Sequence, residues 1–153
     1  MRNSLAVCND HADAAIASMV ATVVGSAVVP AHVNWAYTAS AMGAGVVAIG
    51  LCYDVKLNKD EGWKLVKQFI YSAGFWFVSM NVGSKIFAAI AQSTGIGYGV
   101  GVVIDSSVSA AFAWAIGAAA KEYFQREYLG KSKPTKDELE KIFRNAFNSK
   151  KNK

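Results

Sequence analysis

Between Ala14 and Tyr53 the chain carries no Asp, Glu, Lys or Arg, and between Gln68 and Ala120 it carries only Lys85 and Asp105. No other feature limits the possible folds as strongly. The two blocks, roughly 40 and 53 residues long, are each about the length of two bilayer spans of ~20 residues. A helix of a water-facing bundle shows a polar face on every turn. Here the larger apolar residues are separated mainly by Ala, Gly and Ser. Hydrophobic residues are 53% of the chain and charged ones 18%, high and low respectively for an average soluble domain. The expected class is all-α, a four-helix transmembrane bundle of two helical hairpins.

The first apolar segment runs roughly from Ala12 to Val29, where Pro30 stops it, and the second from Val33 to Tyr53. A charged loop, residues 54–60, follows. Asn58 with Glu61 three residues on has the spacing of a capping box, which predicts a helix starting near Lys59. That helix continues into the apolar stretch 69–91, and Gly95, Gly97, Gly99 and Gly101 break it. A fourth helix is expected over roughly 102–129. After the linker 130–134, Thr135 and Glu138 repeat the capping spacing. Leu139, Ile142, Phe143, Ala146 and Phe147 then mark one apolar face on a basic helix. Such a helix lies on a membrane surface, or docks on the bundle or on a partner. The chain thus divides into a membrane domain, residues 1–130, and a basic tail helix, 131–153.

Charge is distributed unevenly. Residues 1–130 have eight basic and eight acidic side chains; residues 131–153 have eight basic and three acidic. The net charge of +5 therefore arises in the tail. Lys131, Lys133, Lys136, Lys141, Arg144, Lys150 and Lys151 are the candidate contacts for an anionic partner. With four spans, both termini and the 54–67 loop fall on one side. The turns near Pro30 and residues 94–98 hold no Lys or Arg. The positive-inside rule makes the charged side cytoplasmic, which for a bacterial protein means the inner membrane.

Lys85 and Asp105 each lie nine residues from the shared turn at 94–96, so in continuous helices both sit ~13 Å from it, near mid-bilayer. Opposite charges at equal depth are expected to pair in the bundle or to line a pore. Ser106, Ser107 and Ser109 add a polar stripe beside Asp105. Small residues four apart (Gly97/Gly101, Ala39/Gly43, Ser79/Gly83) permit close helix contact and self-association.

Cys8 and Cys52 have no metal-ligand spacing and are expected to be reduced thiols. Asn9-Asp10-His11-Ala12-Asp13 reads as a helix start with a capping side chain and acidic residues in its first turn. No metal or cofactor is expected, and no nucleophile–base spacing points to an enzyme. The glycine run contains Ile96-Gly97-Tyr98-Gly99, the letters of a potassium filter, but Gly95 displaces Thr94 from its register and the preceding helix is too long for a pore helix. A phosphate loop needs a preceding strand and a following lysine, and both are missing. The glycines read instead as a hinge.

Three stretches resemble the bacterial domain-of-unknown-function family 697, often found C-terminal to GTPase domains: VVGSAVVP (23–30), LCYDVKLNKDEGWKLV (51–66) and GIGYGVGVVIDSSVSAAFAWAIGAAAKEYF (95–124). The resemblance runs from about Ala14 to Phe124. Ser93-Thr94 replaces the family's usual proline before the glycine turn, and Tyr53-Asp54 stands at its Tyr-Gly pair. It implies architecture and membrane association, and supplies no catalytic residue. The leading functional expectation is a small homo-oligomeric membrane protein forming an ion-conducting pore or a membrane-perturbing effector, gated from its basic side; a place in bacterial defence is an analogy only. The alternatives are an anchor or adaptor for a separate GTPase, and a peripheral bundle whose tail binds anionic lipid or nucleic acid.

Overall fold

The computed structural model describes residues 4–25, 27–29, 32–72 and 103–151, and only the backbone of 27–29, 32–38, 103–108 and 151. Five helices are present among them: α1 (Leu5–Gly25), α2 (Trp35–Cys52), α3 (Lys59–Ser72), α4 (Ser106–Tyr128) and α5 (Lys136–Lys151). Three three-residue strands, β1 (Ala27–Val29), β2 (His32–Asn34) and β3 (Val103–Asp105), form a small antiparallel sheet in that order. The class is all-α. Among the described residues no helix is long and apolar enough to cross a membrane. The expected four-span bundle is thereby reduced to a helical bundle, and most of the apolar stretch 69–91 lies outside the described residues.

The strands replace helix at three expected places, β2 taking the first two residues of the segment expected from Val33. Helix was expected through Val29 and from Val102, but Val28, Val29, Val103 and Ile104 are β-branched and stiff at χ1, which favours extended chain. Val29 also precedes Pro30, where the helical region is sterically disfavoured. β1 and β2 pair with Ala27 opposite Val33 and Val29 opposite His32, with a register shift between them. In β2 and β3, His32 stands opposite Asp105 and Val33 opposite Ile104.

The helix ends follow from their caps. The Ser4 hydroxyl accepts from the Val7 amide, so α1 starts before the acidic run, earlier than expected. Both capping boxes close reciprocally: the Glu61 amide donates to Asn58 Oδ1 (2.8 Å) and the Asn58 amide to Glu61 Oε1 (3.1 Å). Thr135 and Glu138 exchange the same pair of bonds. α2 and α4 end alike. The Val55 amide donates to Gly50 O and the Asp54 amide to Leu51 O; the Lys131 amide donates to Arg126 O and the Gly130 amide to Glu127 O. These are Schellman caps with Asp54 (φ 64°) and Gly130 (φ 70°) left-handed.

α4 is the axis of the bundle. From Ser109 to Ala120 its side chains are buried except Trp114 and the partly buried Ala118. α1, α2 and α5 pack directly on it, and α3 packs mainly on α2 with smaller contacts to α4 and α5. A Cβ on Gly117 would come 2.7 Å from Ile16 of α1, and one on Gly45 of α2 would come 2.3 Å from the Met19 sulfur. A Cβ on Gly62 of α3 would sit 2.8 Å from the Gly43 carbonyl oxygen. The Ala39/Gly43 pair therefore serves contact within the chain, since Ala39 is buried and Gly43 adjoins Gly62. On the other side Phe112 meets Phe143 and Phe147 of α5 edge to face, with centroids 5.7 and 5.4 Å apart. Gly130→Ala, whose Cβ would touch nothing, is expected to cost about 1 kcal/mol from the left-handed backbone alone, read as a lower denaturant midpoint. Phe143→Ala is expected to cost about 3–5 kcal/mol and to release α5, seen as loss of amide-exchange protection over 136–151.

Candidate functional site

The charged residues form a pole and a flank. The Lys121 ammonium meets Asp13 at 2.7 Å, tying α4 to α1 at the charged end. Arg126 bonds Glu122 one turn back at 2.9 Å and also holds Glu138 at the start of α5. The Arg126 guanidinium and the Thr135 cap together hold the Glu138 carboxyl below its ordinary range. Lys133 lies 5.2 Å from the Tyr123 ring centroid, and a bond to Tyr123 pushes its ammonium pKa up. Lys150 reaches the half-exposed Trp114, 5.3 Å from the ring centre.

The residues expected to form a tail site are thereby placed. Lys131, Lys133, Lys136, Lys141 and Arg144 are exposed and Lys150 is partly buried. Lys151 ends α5. They run along a docked helix: α5 turns back along α4, from Glu138 beside Arg126 to Phe147 beside Phe112. Its apolar face is spent on the bundle core, where Leu139, Phe143 and Phe147 are buried. Of the expected positions for this helix, docking on the bundle is the one found.

The expected ion pair fares differently. Lys85 and Gly95, Gly97, Gly99 and Gly101 lie outside the described residues. Asp105 ends β3, opposite His32. Its expected depth counted 1.5 Å per residue through a helix, whereas over 103–105 the chain is extended, at about 3.3 Å per residue. Ser106 is the first residue of α4. Ser109 is fully buried, and its hydroxyl has no hydrogen-bond partner among the described residues.

The opposite side of the molecule was missed as a unit in the sequence. The exposed positions of α2, Ser40, Ala44, Ala48 and Leu51, recur at helical spacing and are all uncharged. On α1, every exposed residue from Ala14 to Gly25 is uncharged too. Between the two helices runs a shallow groove lined by Ser18, Thr22, Ala44 and Ala48 among others. Leu51 (57% exposed), Val24 (43%) and Val7 (39%) stand on these helices without cover. The Thr22 hydroxyl donates to the Ser18 carbonyl of its own helix, 2.8 Å away. The signal available in the sequence was the four-residue spacing of small residues read together with the buried positions between them.

The acidic start of α1 is structural. Asn9 Oδ1 accepts from the Tyr53 hydroxyl at 2.6 Å, Asp13 is held by Lys121, and no group of three His, Cys, Asp or Glu among the described residues is placed to hold a metal ion. Cys8 is buried and Cys52 partly buried, and neither is in a disulfide among the described residues. Burial raises the Cys52 pKa, and its Sγ lies 3.3 Å from the Ala48 carbonyl oxygen.

These features define an all-α bundle with a neutral side and a basic side, built around one buried helix. The chain belongs to the family described as Domain of unknown function (DUF697), whose model matches residues 5–152. The match includes α5, which the sequence resemblance stopped short of. No curated protein and no solved structure matches the chain.

Because the Glu138 pKa is depressed in the folded state, its bond to Arg126 supports α5 docking above the ordinary carboxylate range. That support is lost as pH falls through the folded-state value. Amide exchange over 136–151 is expected to accelerate below about pH 4.3, before that of α1. In Glu138→Gln, which retains the cap, this early acceleration is expected to disappear.

Proposed function

We propose that the chain is a membrane-seated helical module that self-associates and acts by contact, not by catalysis. The observation that carries this reading is the charge-free outer surface of α1 and α2, residues 14–52, set against a charged flank on the far side of α4. A lipid-facing surface must be apolar and must satisfy its polar groups internally. The Thr22 hydroxyl bonding its own helix meets that demand. The small residues of the α1–α2 groove suit the close approach of another helix, here of a second copy. The apolar stretch 69–91 and the nearly charge-free 73–102 add sequence that fits lipid. The charged pole and α5 face the cytoplasm in this reading, at the bacterial inner membrane.

An ion-conducting form of the assembly is the second reading. Ser109 favours it, because a hydroxyl buried without a partner costs about 1–3 kcal/mol unless water reaches it. In this form water threads the bundle beside Ser109 and the adjacent sheet.

Flotation with neutral phosphatidylcholine vesicles tests the main reading. The full chain is expected to float, and to do so undiminished by salt. Ala44→Lys places a charge at the centre of the neutral face, where lipid burial costs about 2.5–3.5 kcal/mol. Binding is expected to fall roughly 50-fold or more. Asn145→Lys, on the opposite flank, is expected to float as the unaltered chain does. Chain that stays in the aqueous phase without detergent contradicts the proposal.

A further inference from the structure

The basic flank and the neutral face point in opposite directions, and this decides what the basic flank can touch. Gly117 of α4 receives Ile16 of α1, whereas Arg126, nine residues on, holds Glu138 of α5. At 100° per residue those two positions are about 180° apart on the helix. α1 and α5 therefore lie on opposite sides of α4. A chain seated in lipid by its α1–α2 face turns the outer surface of α5 away from that bilayer.

The outer surface of α5 carries Lys141, Arg144, Asn145 and Asn148, all exposed. These side chains are mainly hydrogen-bond donors, with Asn amides beside the charges. The surface has no exposed large apolar side chain, so it lacks what an interfacial helix inserts into lipid. Acidic residues stand among the bases. Asp137 is exposed and Glu140 partly exposed on α5, and Asp60 and Glu61 are exposed on the neighbouring α3. A continuous polyphosphate meets repulsion at each of these carboxylates. A folded surface with carboxylates at discrete positions meets Lys141 and Arg144 and avoids the acids.

We propose that the outer face of α5, centred on Lys141, Arg144 and Asn145, is the docking surface for an acidic protein partner on the aqueous side of the membrane. The proposal rests on the membrane-seated reading for its orientation. Arg144 supplies the planar fork for a partner carboxylate. Asn145 and Asn148 supply neutral donors that fix register. The docking of α5 presents these groups on an already folded helix, so no backbone ordering is left to meet at binding.

The test places a photo-crosslinking residue at Asn145 in the full chain in native membranes, with a second chain labelled at Ala44. Label at Asn145 is expected to capture a protein segment rich in Asp and Glu. Capture is expected to fall about tenfold in Lys141→Glu/Arg144→Glu and at 0.5 M salt, as rim charges govern such encounters. Adducts with phospholipid or with nucleic acid at Asn145, no adduct, or an adduct indifferent to the charge reversal would each overturn the proposal. Label at Ala44 reports separately on the membrane reading: lipid adducts there are expected, and their absence counts against that reading whatever Asn145 captures. The reversed side chains are exposed, and unchanged circular dichroism of the double variant establishes that the fold is intact.

Discussion

The enclosure of α4 is the constraint on which the other elements depend. A helix buried on nearly every side needs partners all round it, and glycines on it and between its neighbours allow the close approach. Gly117 admits Ile16, Gly45 admits Met19 and Gly62 admits the Gly43 backbone. On the far side Phe112 requires a large apolar surface, and Phe143 and Phe147 of α5 supply it. The helix that sequence patterning set apart as a tail is thus part of the core. Its charges are carried along the bundle as a consequence of that docking.

The same arrangement separates the electrostatics. α5 brings its bases to one side of α4, and the uncharged part of the α1–α2 pair, residues 14–52, occupies the other. The ion pairs Lys121–Asp13 and Arg126–Glu138 gather at the pole where the helices reverse. Each is partly exposed and worth little by itself. Arg126–Glu138 helps fix which way α5 runs and Lys121–Asp13 ties α1 to α4, while the apolar contacts provide most of the binding. A two-sided molecule of this kind suits a boundary between lipid and water, which is the basis of the proposed function.

Much of the helical frame was legible in the residues. Asn58 with Glu61 and Thr135 with Glu138 announced two helix starts, because a capping box needs only local chemistry. The face of Leu139, Phe143 and Phe147 announced an apolar stripe, though not what it would meet. The sheet was not legible. Val28-Val29 and Val103-Ile104 stand at the ends of long apolar runs, where helix and strand share a composition and only β-branching separates them. Span counting could not separate lipid from protein burial, because apolar length measures burial of any kind, and α4 is buried by protein. The depth assigned to Asp105 counted helix through 103–105, where the chain is extended, and Lys85 lies outside the described residues. The neutral face lay in the alternation of exposed Ala44 and Ala48 with buried Val46 and Ile49, a pattern that becomes meaningful once α4 is known to cover one side.

The most direct test is the accessibility of spin labels in the reconstituted chain, one at Ala48 on α2 and one at Asn148 on α5. Oxygen, which concentrates in the bilayer interior, is expected to relax the label at Ala48. A water-soluble nickel chelate is expected to relax the label at Asn148. Equal exposure of both labels to the nickel chelate would contradict the two-sided account.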